Sequence, residues 1–277
     1  MKSIINYYGG KGVIAKKLIP LIPAAPLYVE PFCGGASVFF ARQSSGVEVL
    51  NDLNGLIISL YRVLQDRQLF REFNRRVKHT PWSLAEFERA IELQTSSDII
   101  DRAWACFVLQ NMSFSGTQRY SKSNWRRSLK RQTTTDSHIN RIRRLVLYHQ
   151  RLLHVQLDNR DAIEVLRYWD RPDTVFYCDP PYILSTRQEK TAYTIEQSDL
   201  FHRTLINTLC SLDAGVLLSG YNHPIFRSLT GSGWVCDTFK VKCSAANKSR
   251  ANRIECLYRN PRALELLDRY GPSRESE

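Results

Sequence analysis

The sequence predicts an α/β fold with a mainly parallel sheet and helices on both of its faces. Strand-like runs alternate with amphipathic helical segments up to residue 66 and again from residue 151, and repeated strand–helix units produce parallel sheets. Two glycines follow the first strand, as in folds that bind a ligand at the carboxyl end of a sheet. Between residues 67 and 150 the strand patterns give way to helical periodicity, which predicts a helical insert.

Two strand–turn–helix units form the first half of the predicted sheet. Residues 27–43 predict a strand, a turn at Gly34 and Gly35, and the start of a helix. Residues 47–66 predict a second strand, a polar turn and an amphipathic helix. The apolar face of that helix is expected to carry Leu53, Leu56, Ile57 and Leu60.

The remaining elements follow from the same signals. Ser83 is the expected N-cap of one helix, with Glu86 three residues later. Helices are predicted in 81–93, 98–114, 136–152 and 198–212, a strand–turn–helix unit in 153–169, and strands in 173–184, 214–222, 234–243 and 252–260. We therefore expect a discontinuous catalytic domain (1–66 and 151–270), an insert (67–150) and a frayed tail (271–277).

The composition indicates in which compartment the protein functions and what kind of partner it binds. The net charge of +12 and the isoelectric point of about 9.5 favour a polyanion, nucleic acid before membrane, although lysines and arginines on a solvated surface would give the same sum. The seven cysteines include no CxxC pair, so we expect neither a zinc site nor a disulfide framework. With no apolar run of about 20 residues and no signal-peptide pattern, we expect a cytoplasmic protein without a membrane partner.

The glycine turn restricts the ligand. A dinucleotide fingerprint that began at Gly34 would need glycine at Ala36 and Phe39, and no phosphate-binding Gly-Lys-Ser/Thr follows. Asp52 lies eighteen positions after Gly34, close to the spacing at which such folds place a carboxylate on ribose. These features fit an adenosyl ligand without a pyrophosphate, such as S-adenosylmethionine. Without other motifs, these features are explained better by an ordinary tight turn with an exposed aspartate than by a ligand site.

Three segments resemble, in this order, the signature blocks of the Dam-type N6-adenine DNA methyltransferases. They are NYYGGKG (6–12), EPFCGGASVF (30–39) and DPPY (179–182). A cofactor block, a variable target-recognition insert and then DPPY is the alpha arrangement of amino-methyltransferases. The resemblance implies a Rossmann-like S-adenosylmethionine-dependent methyltransferase fold, with residues 67–150 as the target-recognition domain.

The resemblance also implies roles for the matching residues. S-adenosylmethionine would be bound by Tyr7, Lys11, Glu30, Phe32, Gly34, Asp52, Asp161 and Asp179. Asp52 would hold the ribose, and Asp161 would lie near the adenine of the cofactor. The sequence departs from the family at Ala36, where glycine is frequent, and at Phe114-Ser115-Gly116, where relatives often carry asparagine before the glycine. The second departure leaves the target sequence open.

The DPPY corner fits chemistry on an exocyclic amine. Two prolines lock two φ angles and remove two backbone donors, which makes a stiff mount. Asp179 and the Pro180 carbonyl can accept both hydrogens of the amine and so point its lone pair at a methyl donor, while Tyr182 stacks on a flipped base. A C5-cytosine enzyme would need a nucleophilic cysteine, commonly after proline, and no Pro-Cys occurs here.

DNA contacts are predicted in the insert. Residues 117–151 contain ten lysines and arginines against one acid, Asp136. The residues expected to bind DNA are Arg119, Lys122, Arg126, Arg127, Lys130 and Arg131. A solvated helix face is the alternative. A second basic stretch, 240–253, fits either the other side of the duplex or a plain hairpin loop. No histidine lies at ligand spacing from an acid, so no metal is expected.

Several functions share these features. The leading hypothesis is N6-adenine methylation of duplex DNA by a monomer or weak dimer from a bacterium, a prophage or a phage. An N4-cytosine enzyme would use the same corner. RNA and protein amides are less favoured as substrates, because of the basic insert and of the Asp at position 179. A catalytically silent DNA-binding relative would keep the fold, yet Tyr7, Lys11, Asp52 and Asp179 are all present. A companion restriction nuclease is left open.

Overall fold

One seven-stranded sheet organises the chain. The computed structural model describes residues 1–7, 9–114, 120–127, 134–182, 198–242 and 252–276. The strands are β1 (Leu27–Glu30), β2 (Val47–Asn51), β3 (Val155–Asp158), β4 (Thr174–Cys178), β5 (Gly215–Tyr221), β6 (Val235–Lys242) and β7 (Asn252–Arg259). Their order in the sheet is β3-β2-β1-β4-β5-β7-β6. The first five strands run parallel, and β7 is antiparallel to both β5 and β6.

The strand order reverses between β1 and β4, and this reversal places the site. Val29 of β1 lies level with Val49 of β2 on one side and with Phe176 of β4 on the other. The carboxyl ends of the three strands therefore meet at one edge. In open α/β sheets a crevice forms at such a point, where the connecting helices diverge to opposite faces. The predicted α/β fold is confirmed.

Helices cover both faces of the sheet. The longer ones are α3 (Gly55–Gln65), α4 (Arg67–Lys78), α5 (Leu84–Leu93), α6 (Ile99–Met112), α7 (Thr135–Arg143), α8 (Leu145–Leu152), α9 (Ala162–Tyr168), α10 (Asp199–Cys210) and α12 (Pro261–Tyr270); α1 (Ala15–Leu18), α2 (Ser37–Ala41) and α11 (Arg227–Gly231) are short. The predicted cap at Ser83 is confirmed, because its hydroxyl accepts the Glu86 N–H at 3.2 Å. In the part of the chain that the structure describes, no helix is long and apolar enough to cross a membrane.

Two hydrophobic cores flank the sheet, because successive strand residues point to opposite faces. On one face Tyr28 and Val175 pack with α3 and with insert side chains such as Phe73 and Trp104. On the other, Phe176 packs with the buried faces of α9 and α10. The described helices of the insert therefore share a core with the sheet. The domain boundaries at 67 and 150 stay a prediction.

Four local expectations were wrong or incomplete. Leu53 precedes α3 and is 43% exposed, so it takes no part in the buried face of that helix. The single helix expected over 136–152 is two helices that meet at Arg144. Of the longer helices, α4 and α12 were not predicted.

The tail is held in place rather than frayed. Pro272 forms a bridge with Pro23, and Glu275 forms one with Arg42. Ser273 is buried and its amide donates to Ile22 O at 2.7 Å. The expected fraying is wrong for the described residues of this segment, because its backbone groups find partners on the body of the protein.

Candidate active site

A cavity opens where β1, β2 and β4 end. All eight residues predicted to bind the cofactor line it, namely Tyr7, Lys11, Glu30, Phe32, Gly34, Asp52, Asp161 and Asp179. Tyr182 also lines it, so the predicted cofactor residues and the DPPY corner share one space. The structure brings these residues together from segments that lie far apart in the sequence.

The glycine turn is held from both sides. Gly34 has φ +45°, and a Cβ added there would lie 2.5 Å from Cε1 of Tyr7. Its N–H donates to Asp52 Oδ2 at 2.7 Å, and its carbonyl accepts the Tyr61 hydroxyl at 2.7 Å. Only glycine fits this position, because any side chain would clash with the Tyr7 ring and strain the backbone.

Ala36 also adopts the left-handed conformation, with φ 47° and ψ 42°, and it precedes α2. Left-handed backbone favours glycine, which explains why glycine is frequent at this position of the family that the sequence resembles. The Ala36 methyl group is buried in the core around β1. The departure from glycine thus leaves the turn in place at the cost of local strain.

Two carboxyl groups, buried Glu30 and partly buried Asp52, stand beside the turn. Asp52 accepts the Gly34 N–H and, at 2.8 Å, the Asn54 N–H; burial nevertheless raises its pKa to about 6. Glu30 accepts the Tyr28 hydroxyl at 2.7 Å, and burial raises its pKa to about 8. At neutral pH Glu30 therefore keeps its proton for much of the time and can donate a hydrogen bond into the cavity.

At the DPPY corner Lys11 pairs with Asp179. The ammonium donates to both carboxylate oxygens, at 2.7 and 2.9 Å, and lies 4.6 Å from the centre of the Tyr182 ring. Lys11 is only 4% exposed, so water screens this pair weakly. Burial raises the pKa of Asp179, and the positive charge of Lys11 opposes that rise. The predicted cofactor lysine thus directly contacts the predicted catalytic acid.

Tyr182 has a partner that the sequence did not indicate. Its hydroxyl donates to Glu255 Oε2 at 2.7 Å, and its ring meets the Tyr221 ring edge-on, with the centres 4.4 Å apart. In β7 the alternation puts Glu255 in phase with buried Leu257, which is the only local hint of its importance. The predicted catalytic residue Pro180 borders a smaller neighbouring cavity that Tyr182 and Tyr221 also line.

The cavity fits an adenosyl ligand. Tyr177 is buried and lines it. Asp161 caps α9 by accepting the Ile163 N–H at 2.8 Å, and Phe32 meets Phe201 edge-to-face at the apolar wall. Acidic, aromatic and backbone groups suited to ribose, adenine and an ammonium group are thus all present.

The predicted DNA-binding residues are only partly within the described ranges. Lys122 is exposed and pairs with Glu88 at 3.0 Å, Arg127 is exposed beside the Trp125 ring, and Arg126 is half-buried. This segment is attached to the end of α6 by the Phe114 N–H, which donates to Asn124 O at 2.6 Å. The other three predicted DNA-binding residues, Arg119, Lys130 and Arg131, lie outside the described residues.

Comparison with known proteins assigns the family. Residues 7–268 match the model of the D12 class N6 adenine-specific DNA methyltransferases. The retron Ec67 DNA adenine methylase of Escherichia coli is 27% identical over 254 residues, which cover 83% of this chain and 80% of the relative. The DNA adenine methylase of Salmonella typhi is 26% identical over 240 residues, or 82% and 83% of the two chains.

A phage relative matches a shorter region. The DNA N-6-adenine-methyltransferase of Escherichia phage P1 is 27% identical over 131 residues, which cover 44% of this chain and 16% of the relative. The family model, by contrast, spans the glycine turn, the insert and the DPPY corner together. With this match over nearly the whole length and a seven-stranded α/β sheet that carries the expected cavity, the chain belongs to the D12 class N6 adenine-specific DNA methyltransferases.

Proposed function

We propose that Asp179, Pro180 and Tyr182 carry out methyl transfer to the N6 amine of an adenine that is flipped out of duplex DNA. Membership of the family implies DNA as substrate and S-adenosylmethionine as methyl donor. The observation that carries the proposal is the position of Asp179. Its carboxylate lies in the cavity lined by the predicted cofactor residues and next to the smaller cavity bordered by Pro180.

Asp179 acts on the amine by orienting it. The N6 lone pair is delocalised into the adenine ring, so the amine is a poor nucleophile until both of its hydrogens are held. The Asp179 carboxylate and the Pro180 carbonyl accept these hydrogens and direct the lone pair into the cofactor cavity. S-adenosylmethionine, when bound, would supply a sulfonium methyl group whose bond to sulfur breaks, leaving the electron pair on sulfur, as the bond to N6 forms. Asp179 also accepts the proton that N6 gives up as the new bond to carbon forms.

Lys11 favours the ionised form of Asp179, which this step requires. Asp179 must be ionised to accept the amine hydrogens, and burial favours its neutral form. The Lys11 ammonium at 2.7 Å opposes that effect. Because a carboxylate offers about four acceptor positions, Asp179 can keep one contact with Lys11 while it receives the amine.

Tyr182 holds the base, and the insert holds the duplex. An adenine inside a stacked duplex cannot reach the Asp179 carboxylate, so the nucleotide must leave the helix, and the Tyr182 ring provides a stacking surface. Arg119, Lys122, Arg126, Arg127, Lys130 and Arg131 bind phosphates in this proposal. Its support is their placement in the basic insert and the exposure of Lys122 and Arg127.

The cellular setting is proposed from the relatives. They come from bacteria and a phage, which supports a cytoplasmic enzyme of a bacterium, prophage or phage. A monomer or weak dimer fits the proposal, because one active site can visit the two strands of a target in turn. Partnership with a restriction nuclease, and the absence of a metal from the mechanism, stay predictions.

The test is methyl transfer from labelled S-adenosylmethionine to unmethylated duplex DNA, followed by digestion to nucleosides. We expect N6-methyladenosine with the wild-type protein. Asp179→Ala should lower the single-turnover rate at least about 10³-fold, with DNA affinity changed less than about twofold. Asp173→Ala is the matched control, because Asp173 is half exposed and pairs with Arg269 outside the cavity. N4-methylcytosine as the product, or an active Asp179→Ala variant, would contradict the proposal.

A further inference from the structure

Glu255 is a buried acid at the antiparallel side of the sheet. It lies in β7 opposite Tyr221 of β5 on one side and Phe239 of β6 on the other, and is 9% exposed. Among the described residues no lysine or arginine forms an ion pair with it. A buried carboxylate is costly without a partner. Its partner in the structure is the Tyr182 hydroxyl at 2.7 Å, so the acid is stabilised by a contact with the DPPY corner.

The Tyr182 ring is defined by contacts from three separate elements. Glu255 of β7 accepts from its hydroxyl, Tyr221 of β5 meets it edge-on, and the Lys11 ammonium lies 4.6 Å from its centre. The two prolines before it fix the backbone but leave the side-chain torsions free. The bond to Glu255 holds the hydroxyl end of the ring, where Ser219 also lies close, and a bond to a charged acceptor is stronger than a neutral one.

We infer that Glu255 is a positioning residue for the reaction: its carboxylate fixes the Tyr182 ring in the plane on which the target base stacks. The inference rests on the proposed function, because it matters only if Tyr182 holds the base. Glu255 itself touches neither the amine nor the methyl donor in this scheme. Small misplacements of a stacking surface are expensive, since a shift of about 1 Å can cost about 10²-fold in rate.

Two substitutions at Glu255 separate the loss of the hydrogen-bond acceptor from the loss of the negative charge. Glu255→Ala removes the acceptor, and we expect the single-turnover rate constant at saturating substrates to fall about 10- to 100-fold. Glu255→Gln keeps an oxygen acceptor at the same place, and it should retain activity within about threefold of wild type. The Kd for DNA and for S-adenosylmethionine should stay within about twofold in both variants, because a purely positioning role changes the rate constant and not the affinity.

Asp237 offers a matched control on the same pair of strands. It lies in β6 and accepts from Arg259 Nε at 2.7 Å, in a contact that does not involve Tyr182. Asp237→Ala and Asp237→Asn repeat the two chemical changes in the same hairpin. Both should leave the transfer rate within about twofold of wild type. A loss of rate in the Asp237 variants equal to that in the Glu255 variants would indicate a general effect on the hairpin and would overturn the inference.

A double-mutant cycle tests the link to Tyr182. Tyr182→Phe keeps the ring and removes the donor, so it should reproduce most of the loss seen with Glu255→Ala. Adding Glu255→Ala to Tyr182→Phe should then cost less than about twofold more. Fully multiplied losses would overturn the inference, as would a Glu255→Gln variant as slow as Glu255→Ala. If Glu255→Ala does not fold, Tyr182→Phe and Glu255→Gln still decide the question.

Tyr182→Ala distinguishes this inference from the function on which it rests. The proposed function requires a large loss of transfer when the ring is removed. If Tyr182→Ala transfers methyl groups at the wild-type rate, the stacking role itself fails, and the inference fails with it. If Tyr182→Ala is inactive while Glu255→Ala is as fast as wild type, only the role of Glu255 is rejected.

Discussion

The cavity at the glycine turn and the segment 120–127, which we propose faces DNA, carry charge in opposite ways. In the cavity Glu30 and Lys11 are buried, the other carboxyl groups are partly buried, and Lys11 is the only lysine or arginine among the described lining residues. In the segment Lys122 and Arg127 are exposed, and the ion pair of Lys122 with Glu88 leaves Lys122 75% exposed. The electrostatics of the cavity depend on individual charged partners. Those of the segment 120–127 depend on the sum of its positive charges.

This difference predicts how each region responds to substitution. Removing one partner of a buried pair leaves an uncompensated charge, which is costly. Exposed charges are screened by water and salt, so each contributes little and the effects add. Substitutions in the cavity should therefore cause large, pH-dependent losses, and those in the segment small, salt-dependent ones.

The largest effect is expected for Lys11→Met. Without the ammonium, the already raised pKa of Asp179 rises further. Activity needs ionised Asp179 and is lost as the pH falls through its pKa, so the acid limb of the rate profile should move to higher pH. At pH 7 we expect a loss of about 10- to 100-fold that partly recovers at pH 9, measured by single-turnover transfer at saturating S-adenosylmethionine. Lys122→Met should keep the wild-type profile; an unmoved acid limb in Lys11→Met would contradict the pairing.

Glu30→Gln should alter the pH dependence of stability. The Glu30 pKa of about 8 lies above its ordinary value of 4.5, so the folded state binds this proton more tightly than the unfolded state. The resulting stability is complete below about pH 4.5 and is lost as the pH rises towards 8. Glu30→Gln should flatten this fall, which is on the order of a few kcal/mol, in urea unfolding of the cofactor-free protein at pH 5 to 8. Equal slopes for both proteins would refute the shift.

For the segment 120–127, Arg126→Ala with Arg127→Ala should weaken DNA binding several-fold at about 0.4 M salt, and more strongly at lower salt. The slope of log K against log salt should fall by about 2, if each arginine neutralises one phosphate. Fluorescence anisotropy across a salt series measures both quantities. The control pair is Arg262→Ala with Arg269→Ala on α12, which removes the same charge elsewhere. If the two pairs change the slope equally, only net charge matters and the placement of the DNA face is wrong.

The smallest effect is expected for Ala36→Gly. Glycine relieves the left-handed strain at φ 47°, worth about 1 kcal/mol, but it removes a buried methyl group worth about 0.8 kcal/mol. Thermal unfolding should therefore change by less than a few degrees. Gly34→Ala is the contrast: its new Cβ would lie 2.5 Å from the Tyr7 ring, so it should abolish cofactor binding or folding. A harmless Gly34→Ala would show that the turn is not held as described.

The elements that the sequence predicted share one property: their signals are local. The glycines after β1 and the prolines after β4 mark the places where the chain must turn, and both turns lie at the cavity. Short apolar runs likewise predicted the strands from neighbouring residues alone. The helix α12 also had local signals, since Asn260 caps it and Pro261 occupies its first turn. It was missed because the prediction treated this region only as the end of the last strand.

What the sequence could not predict depends on contacts between distant residues. Glu255 lies 73 positions from Tyr182, and they meet only because β7 inserts beside β5, ahead of β6. The tail is likewise held by a partner far away, Arg42, which bridges Glu275. Lys11 could be assigned to the cavity from its motif, but its contact with Asp179 requires the fold. Each of these contacts forms only when the folded chain brings distant residues together.

The acidic lining of the cavity has a consequence for which molecules can enter it. Asp52, Asp161 and Asp179 face a space inside a protein of net charge +12. The basic exterior attracts a polyanion, while the carboxylates repel any phosphate that approaches the interior. A nucleobase is the uncharged part of a DNA strand, so the negative potential of the cavity does not oppose its entry. Free adenine nucleotides, whose phosphates must travel with the base, should therefore be rejected even at high concentration.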